Sequence, residues 1–188
     1  MINIICNKDL IWEVENYDVI LLGTSIYCSL SDGFQRKMRR KYPYINDANN
    51  TTPYADPRKL GKRLTIQGKP IISLCYISKF KTKNEFIDYD ALENCIKTAN
   101  IEFNGLNVAT TVIGSSCFDG NGNRDKIMRI LEENSDKMNL TVYDYNQMSR
   151  AEENKKQWKY IQSFKKSDPE KYKKLTESRK KNWDKLYL

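Results

Sequence analysis

With 188 residues, the chain is long enough for one domain and an extension but short for two full domains. Its composition is 39% hydrophobic, 11% aromatic and 30% charged, which excludes a wholly disordered chain and a membrane-embedded one. The formal net charge of +8 is unevenly distributed, because residues 150–188 carry 13 basic and 6 acidic side chains. The basic character therefore belongs to the last 39 residues, and the rest of the chain is near neutral.

Several function classes are excluded by residues and patterns that the sequence lacks. It contains no apolar stretch of about 18 residues and no signal-peptide pattern, which predicts a cytoplasmic protein without membrane contact. The absence of His and the dispersal of five Cys without a CxxC pair argue against a metal site or a disulfide framework. Any catalysis must use carboxylates, hydroxyls, thiols or backbone amides, and we expect no cofactor.

Short β-branched runs alternate with helical patterns, which is typical of an α/β layer fold. Strands are predicted, in chain order, at Ile2–Cys6, Val19–Leu22, Leu64–Ile66, Ile71–Ser78, Val108–Ile113 and Leu140–Tyr145. Helices are predicted at Phe34–Tyr42, Tyr89–Phe103 and Arg124–Asn134, the first of them ended by Pro43. The polar segment Asn46–Pro57 is predicted to be a loop, and Asp119–Asn123 a tight turn.

The C-terminal part has no strand pattern. Apolar residues at helical spacing predict a basic amphipathic helical extension at residues 149–188, following a domain at residues 1–148. Its Lys clusters, interleaved with aromatic residues such as Trp158 and Trp183, suit the phosphate backbone of a nucleic acid, which would bind through residues 150–188. The alternative is a hairpin that packs its aromatic stripe on the domain or on another copy and leaves the Lys side chains in solvent.

Three polar segments follow predicted strands, at the edge where open α/β sheets place their ligands. They are Asn7–Ile11, Thr24–Phe34 and Ile113–Gly120. Small residues in the second and third let backbone amides face an anion, so both are candidate phosphate-binding loops. Neither matches GxxxxGK[ST] or GxGxxG, and a plain turn is the alternative interpretation of each.

The order and spacing of these segments resemble the macrodomain, an α/β fold that binds ADP-ribose. Val19–Pro43 aligns without a gap on the second strand, glycine-rich loop and helix of the yeast-type ADP-ribose-1''-phosphate phosphatases, the group with the closest likeness. Asp32-Gly33-Phe34 is similar to the Asp-Gly-Val of alphaviral macrodomains, and Ile113–Phe118 resembles the second phosphate loop. The resemblance covers residues 2–147 and implies a three-layer α/β/α mixed sheet, with the basic extension outside it.

The resemblance also implies a binding role for each matching residue toward ADP-ribose or an ADP-ribosylated macromolecule. Asp9 takes the position of the Asp that accepts a hydrogen bond from the adenine amino group, with Leu10 beside it; a helix N-cap is the alternative. Tyr143 or Tyr145 would border the adenine, although core or surface packing is more usual for an aromatic residue at a strand end. The distal ribose and phosphates would contact Ser31, Gly33, Phe34, Gly114, Ser115, Ser116, Cys117 and Phe118.

The reaction implied by the resemblance is hydrolysis at the distal ribose, releasing phosphate from ADP-ribose 1''-phosphate or ADP-ribose from a modified macromolecule. Asp32 is the first candidate for orienting or activating water, and Asp119 the second, although the alignment places Phe118 at the family's loop Asp. Ser25 occupies the position of a catalytic Asn. Because the Ser25 side chain is shorter than that of Asn, a rival hypothesis is a non-catalytic ADP-ribose reader or nucleotide sponge. A third hypothesis is a nucleic-acid-binding module that uses the basic extension.

Overall fold

The computed structural model describes residues 2–30, 33–79, 87–115 and 122–144, together with positions 162, 168–170, 172–174 and 177. The chain divides into two units, Met1–Tyr145 and Asn146–Leu188. In the second unit, positions 169, 170 and 172–174 are helical, and most of the predicted basic extension lies outside the described residues. The strands and helices named below all belong to the first unit.

A mixed six-stranded sheet forms the centre of the first unit, as far as its residues are described. Its strands are β1 (Asn3–Cys6), β2 (Val19–Ser25), β3 (Arg63–Ile66), β4 (Ile71–Ser78), β5 (Asn107–Thr111) and β6 (Asn139–Asp144). Their order across the sheet is β1-β6-β5-β2-β4-β3, and all neighbours are parallel except β3 and β4. Parallel strands buried on both faces require continuous apolar runs, which β2 and β4 supply.

Helices connect these strands. They are α1 (Gly33–Lys41), α2 (Tyr44–Asn50), α3 (Tyr89–Glu102) and α4 (Arg124–Glu133), with short 3₁₀ helices at Leu10–Trp12, Val14–Asn16 and Pro57–Lys59. Asp88 and Asn123 cap α3 and α4, since their side chains accept hydrogen bonds from the backbone N–H groups of Ala91 and Lys126. No helix among the described residues is long and apolar enough to span a bilayer.

The sheet is covered on both faces because successive strand residues point in opposite directions. Val19 and Leu21 pack in a core with buried residues of α3 and α4. Ile20 and Leu22 pack in a second core with Met38 of α1, with α2 and with the first two 3₁₀ helices. The predicted α/β/α layering and mixed sheet are therefore confirmed.

The prediction of a loop across Asn46–Pro57 is wrong at both ends of the segment. Residues up to Asn50 belong to α2, and Pro57 begins a 3₁₀ helix. Pro43, expected only to end the preceding helix, is the N-cap residue of α2. Ile45 and Asn49 are both fully buried, so packing of this helix outweighs the weak helical propensity of its Asn residues.

Candidate functional site

A crevice is expected at the carboxyl ends of β2 and β5, which lie side by side in the sheet. The chain leaves β2 toward α1 on one face and leaves β5 toward α4 on the other. Open α/β sheets bind ligands where neighbouring strands send their connections to opposite faces. Both candidate phosphate-binding loops begin at these two strand ends, so the structure brings the first residues of the second and third polar segments to neighbouring strands.

The first loop begins at a β-bulge. Pairing between β2 and β4 shifts by one residue between Thr24 and Ser25, so that Ser25 lies opposite Ser78. The Ser25 hydroxyl is buried and has no hydrogen-bond partner among the described residues. A buried hydroxyl without a partner is costly, and at a strand end beside a crevice it suits a group that bonds a ligand.

α1 is attached firmly to this strand end. Gln35 Nε2 donates to the Gly23 carbonyl at 2.6 Å, and the Thr24 hydroxyl donates to the Ser29 carbonyl at 3.2 Å. Gly33 begins α1 with a positive φ of 51°, and Phe34 is half-buried against the core. The remaining first-loop candidates, Ser31 and Asp32, lie outside the described residues.

The second loop begins with a turn. Gly114 has a φ of +78°, and Ser115 uses both its N–H and its hydroxyl to donate to the Val112 carbonyl, at 3.1 and 2.6 Å. The Gly122 N–H donates to the Gly114 carbonyl at 2.9 Å, which closes the loop before α4. Four candidates lie outside the described residues: Ser116, Cys117, Phe118 and Asp119.

Asp9 lies in the segment after β1 and caps the first 3₁₀ helix. Its Oδ1 accepts a hydrogen bond from the Ile11 N–H at 3.2 Å, and its Oδ2 forms an ion pair with Lys37 of α1. The capping role that the sequence left open is therefore present. Leu10 is 1% exposed and belongs to the core beneath this segment.

Tyr143 of β6, expected to border the adenine, is a core residue that is only 1% exposed. Its hydroxyl donates to Glu13 Oε2 at 2.5 Å and is 2.9 Å from the Tyr17 hydroxyl. Burial, together with the hydrogen bond to Glu13, raises the pKa of Tyr143 far above its ordinary value. The same hydrogen bond, followed by one from Lys8, lowers the pKa of Glu13.

Tyr143→Phe is expected to reduce the loss of stability on acidification. A carboxyl whose pKa is lowered by folding stabilises the protein above its unfolded-state pKa, and this contribution is lost as pH falls through the lowered value. Without the Tyr143 hydroxyl, Glu13 contributes less over that window. Thermal unfolding measured from neutral to acidic pH checks this, with Tyr17→Phe as the control; an acidic slope identical to wild type would contradict it.

A polar cluster that joins the first loop to α2, β4 and the 3₁₀ helix Pro57–Lys59 was missed by sequence reasoning. It consists of Cys28, Asn49, Thr52, Lys59 and Tyr76. These residues are dispersed along the chain, and no spacing pattern links them. Among the described residues, no group of three His, Cys, Asp or Glu side chains is placed to hold a metal ion.

No family model matches the sequence, and no curated protein does. Solved structures match. The macrodomain of Mycobacterium tuberculosis DarG gives a TM-score of 0.60 at 16% identity, over 77% of this chain and 97% of that one. Thermosipho africanus DarTG in complex with ADP-ribose gives 0.59 at 10% identity, over 75% and 41%.

A Trypanosoma brucei macrodomain in complex with ADP gives a TM-score of 0.57 at 13% identity, over 78% of this chain and 64% of that chain. At such identities the likeness concerns the fold. The chain therefore has the macrodomain fold.

Proposed function

We propose that the chain binds ADP-ribose or a derivative between the loops after β2 and β5 and hydrolyses it at the distal ribose. The observation that carries this proposal is a macrodomain fold in which two small-residue loops follow neighbouring strands and leave toward opposite faces. Structures with this fold were solved with ADP-ribose and with ADP, which supports a nucleoside diphosphate as the ligand class.

Asp9 holds the adenine in this proposal. Its Oδ1 is already oriented by the Ile11 N–H, and a carboxylate oxygen has lone pairs for a second donor such as an exocyclic amine. The ion pair with Lys37 joins the carboxylate to α1, the helix that follows the first loop. The adenine amino group would therefore meet an acceptor that is positioned before binding.

The distal ribose lies near the first loop in this proposal. The unpartnered Ser25 hydroxyl bonds a ribose hydroxyl, and Asp32 orients the attacking water, with Asp119 as the second candidate. The similarity of Val19–Pro43 to the yeast-type phosphatases favours release of phosphate from ADP-ribose 1''-phosphate. In the alternative, glycohydrolase-type reaction the substrate is an ADP-ribosylated macromolecule, and the leaving group is the unmodified macromolecule.

Calorimetric titration with ADP-ribose tests the binding site. Asp9→Ala is expected to weaken binding by about 10- to 100-fold, the effect of losing a hydrogen bond to a charged acceptor. The matched control is Asp18→Ala, because Asp18 also accepts a hydrogen bond from a backbone N–H, that of Asn107 at 2.9 Å. Asp18 precedes β2 and so lies at the amino end of this strand, away from the candidate site at its carboxyl end. Unchanged affinity in Asp9→Ala, or an equal loss in both variants, would contradict the assignment of Asp9.

Product assays distinguish the activities. Free phosphate from ADP-ribose 1''-phosphate supports a phosphatase, and free ADP-ribose from a modified protein or nucleic acid supports a glycohydrolase. Binding without either product supports the non-catalytic reader, the second candidate function, which Ser25 in place of Asn favours. No binding at millimolar ADP-ribose would reject all three.

A further inference from the structure

The segment between β2 and α1 places a thiol against a buried amine. Lys59 Nζ donates to Cys28 Sγ at 3.0 Å and to Thr52 Oγ1 at 3.1 Å, and lies 4.6 Å from the centre of the Tyr76 ring. Lys59 is 7% exposed, whereas Cys28 is only partly buried. Solvent therefore reaches the thiol residue while the amine behind it is held in place.

The Cys28 sulfur is one of two hydrogen-bond acceptors that Lys59 has among the described residues, the other being the Thr52 hydroxyl. Within the described part of the chain, no carboxylate pairs with Lys59, although a buried amine requires hydrogen-bond acceptors. Reactive thiols in proteins characteristically lie beside a Lys or Arg and remain accessible. Both conditions hold at Cys28.

The backbone of Cys28 is a second, independent observation. Its φ is +56°, in the left-handed region that residues with a side chain rarely adopt, and its N–H donates to the Ser25 carbonyl at 3.2 Å. This turn directs Sγ toward Thr52, whose hydroxyl oxygen lies 3.3 Å away. The strained conformation thus holds the sulfur beside the amine.

We propose that Cys28 and Lys59 form an oxidation site that a peroxide converts into a reversible sulfur–nitrogen cross-link. In the first step the Cys28 thiolate attacks one peroxide oxygen, the O–O bond breaks and the sulfur is oxidised to a sulfenic acid. The other oxygen takes a proton from the Lys59 ammonium and leaves as water, so that Lys59 becomes a neutral amine. In the second step the neutral Lys59 amine attacks the sulfur. The S–O bond breaks, and its oxygen leaves as a second water with a proton from nitrogen.

The product is a sulfenamide that joins the segment between β2 and α1 to the 3₁₀ helix Pro57–Lys59. A thiol reductant reverses the reaction by cleaving the S–N bond and restoring both side chains. Its sulfur belongs to the first candidate phosphate-binding loop, Thr24–Phe34. Its formation does not depend on ADP-ribose binding, so the two proposals fail separately.

Peptide mapping of the intact protein after brief treatment with hydrogen peroxide tests this. We expect a cross-linked tryptic species containing residues 9–36 and 59–62, lighter than the two reduced peptides together by two hydrogen atoms. Dithiothreitol should abolish it and restore both peptides. Because a linked Lys59 is no longer a trypsin site, cleavage after this residue should be lost in the same sample.

The controls separate the pair from general thiol oxidation. Cys28→Ser and Lys59→Arg should abolish the cross-link, the second while keeping the positive charge, and Cys6→Ser, at an exposed cysteine, should leave it unchanged. Wild-type protein whose Cys28 is oxidised while Lys59 stays free, or a linked product that retains an oxygen atom, would overturn the proposal. So would a cross-link that persists in Lys59→Arg.

Discussion

Gly114→Ala is expected to lower the free energy of unfolding by about 3 kcal/mol, combining backbone strain with overpacking. Gly114 has a φ of +78°, which an alanine adopts only with strain. A Cβ atom there would lie 2.4 Å from Ile87 Cδ1 and 3.1 Å from Ile77 Cδ1. Both isoleucines are buried in the core beneath the second loop, so neither side chain has free space to move into.

Gly105→Ala is the matched control, since Gly105 has nearly the same φ, +77°, but nothing within 4 Å of an added Cβ. It should lose only the conformational part, about 1–2 kcal/mol. Urea denaturation of both variants measures the difference. Equal losses would show that the contact with Ile87 carries no cost.

Arg124→Met is expected to lower the free energy of unfolding by about 2 kcal/mol. This loss is smaller than the usual cost of breaking a buried ion pair, because the Arg124 side chain is accessible to water. Arg124 Nε donates to Asp144 Oδ2 at 3.1 Å, and Nη2 forms an ion pair with the same oxygen. The Asp144 side chain is 6% exposed, whereas that of Arg124 is 46% exposed. The substitution leaves the carboxylate at the end of β6 without this partner.

A double-mutant cycle tests the origin of this loss. Adding Asp144→Asn to Arg124→Met removes the uncompensated charge, so the double variant should be more stable than additivity of the single losses predicts. Arg129→Met, at an exposed residue of α4, should change the free energy of unfolding by less than about 0.5 kcal/mol. Additive losses in chemical denaturation would mean that Arg124 acts independently of Asp144.

Strand positions could be predicted well where burial alone determines the sequence pattern. β4 was predicted residue for residue, because a strand covered on both faces has to be apolar along its length. α2 could not be predicted, since its Asn residues favour turns in isolation and its helical form depends on burial of Ile45 and Asn49. The order of the strands in the sheet could not be predicted either, because local patterns do not encode which strands pair; the family resemblance implied only a mixed sheet between two layers of helices.

The points at which the candidate loops begin could be predicted, but the contacts of their residues could not. The loops could be located because they follow apolar strands. Asp9 and Lys37, which form an ion pair, are separated by 28 positions in the sequence, and Cys28 and Lys59, which are in contact, by 31. No local sequence pattern indicates contacts over such separations. The roles assigned to Asp32, Asp119 and their neighbours in the undescribed loops stay predictions.

The bulge at the end of β2 makes the site sensitive to a strand that contributes no residue to it. Between Thr24 and Ser25 the pairing skips one residue of β4, so that Ser78 rather than Ile77 lies opposite Ser25. An insertion or deletion in β4 would therefore change the residue that lies opposite Ser25 even if both loops kept their sequences. In a family of such proteins, ligand preference could change through the length of a buried strand, with every residue of the binding loops unchanged.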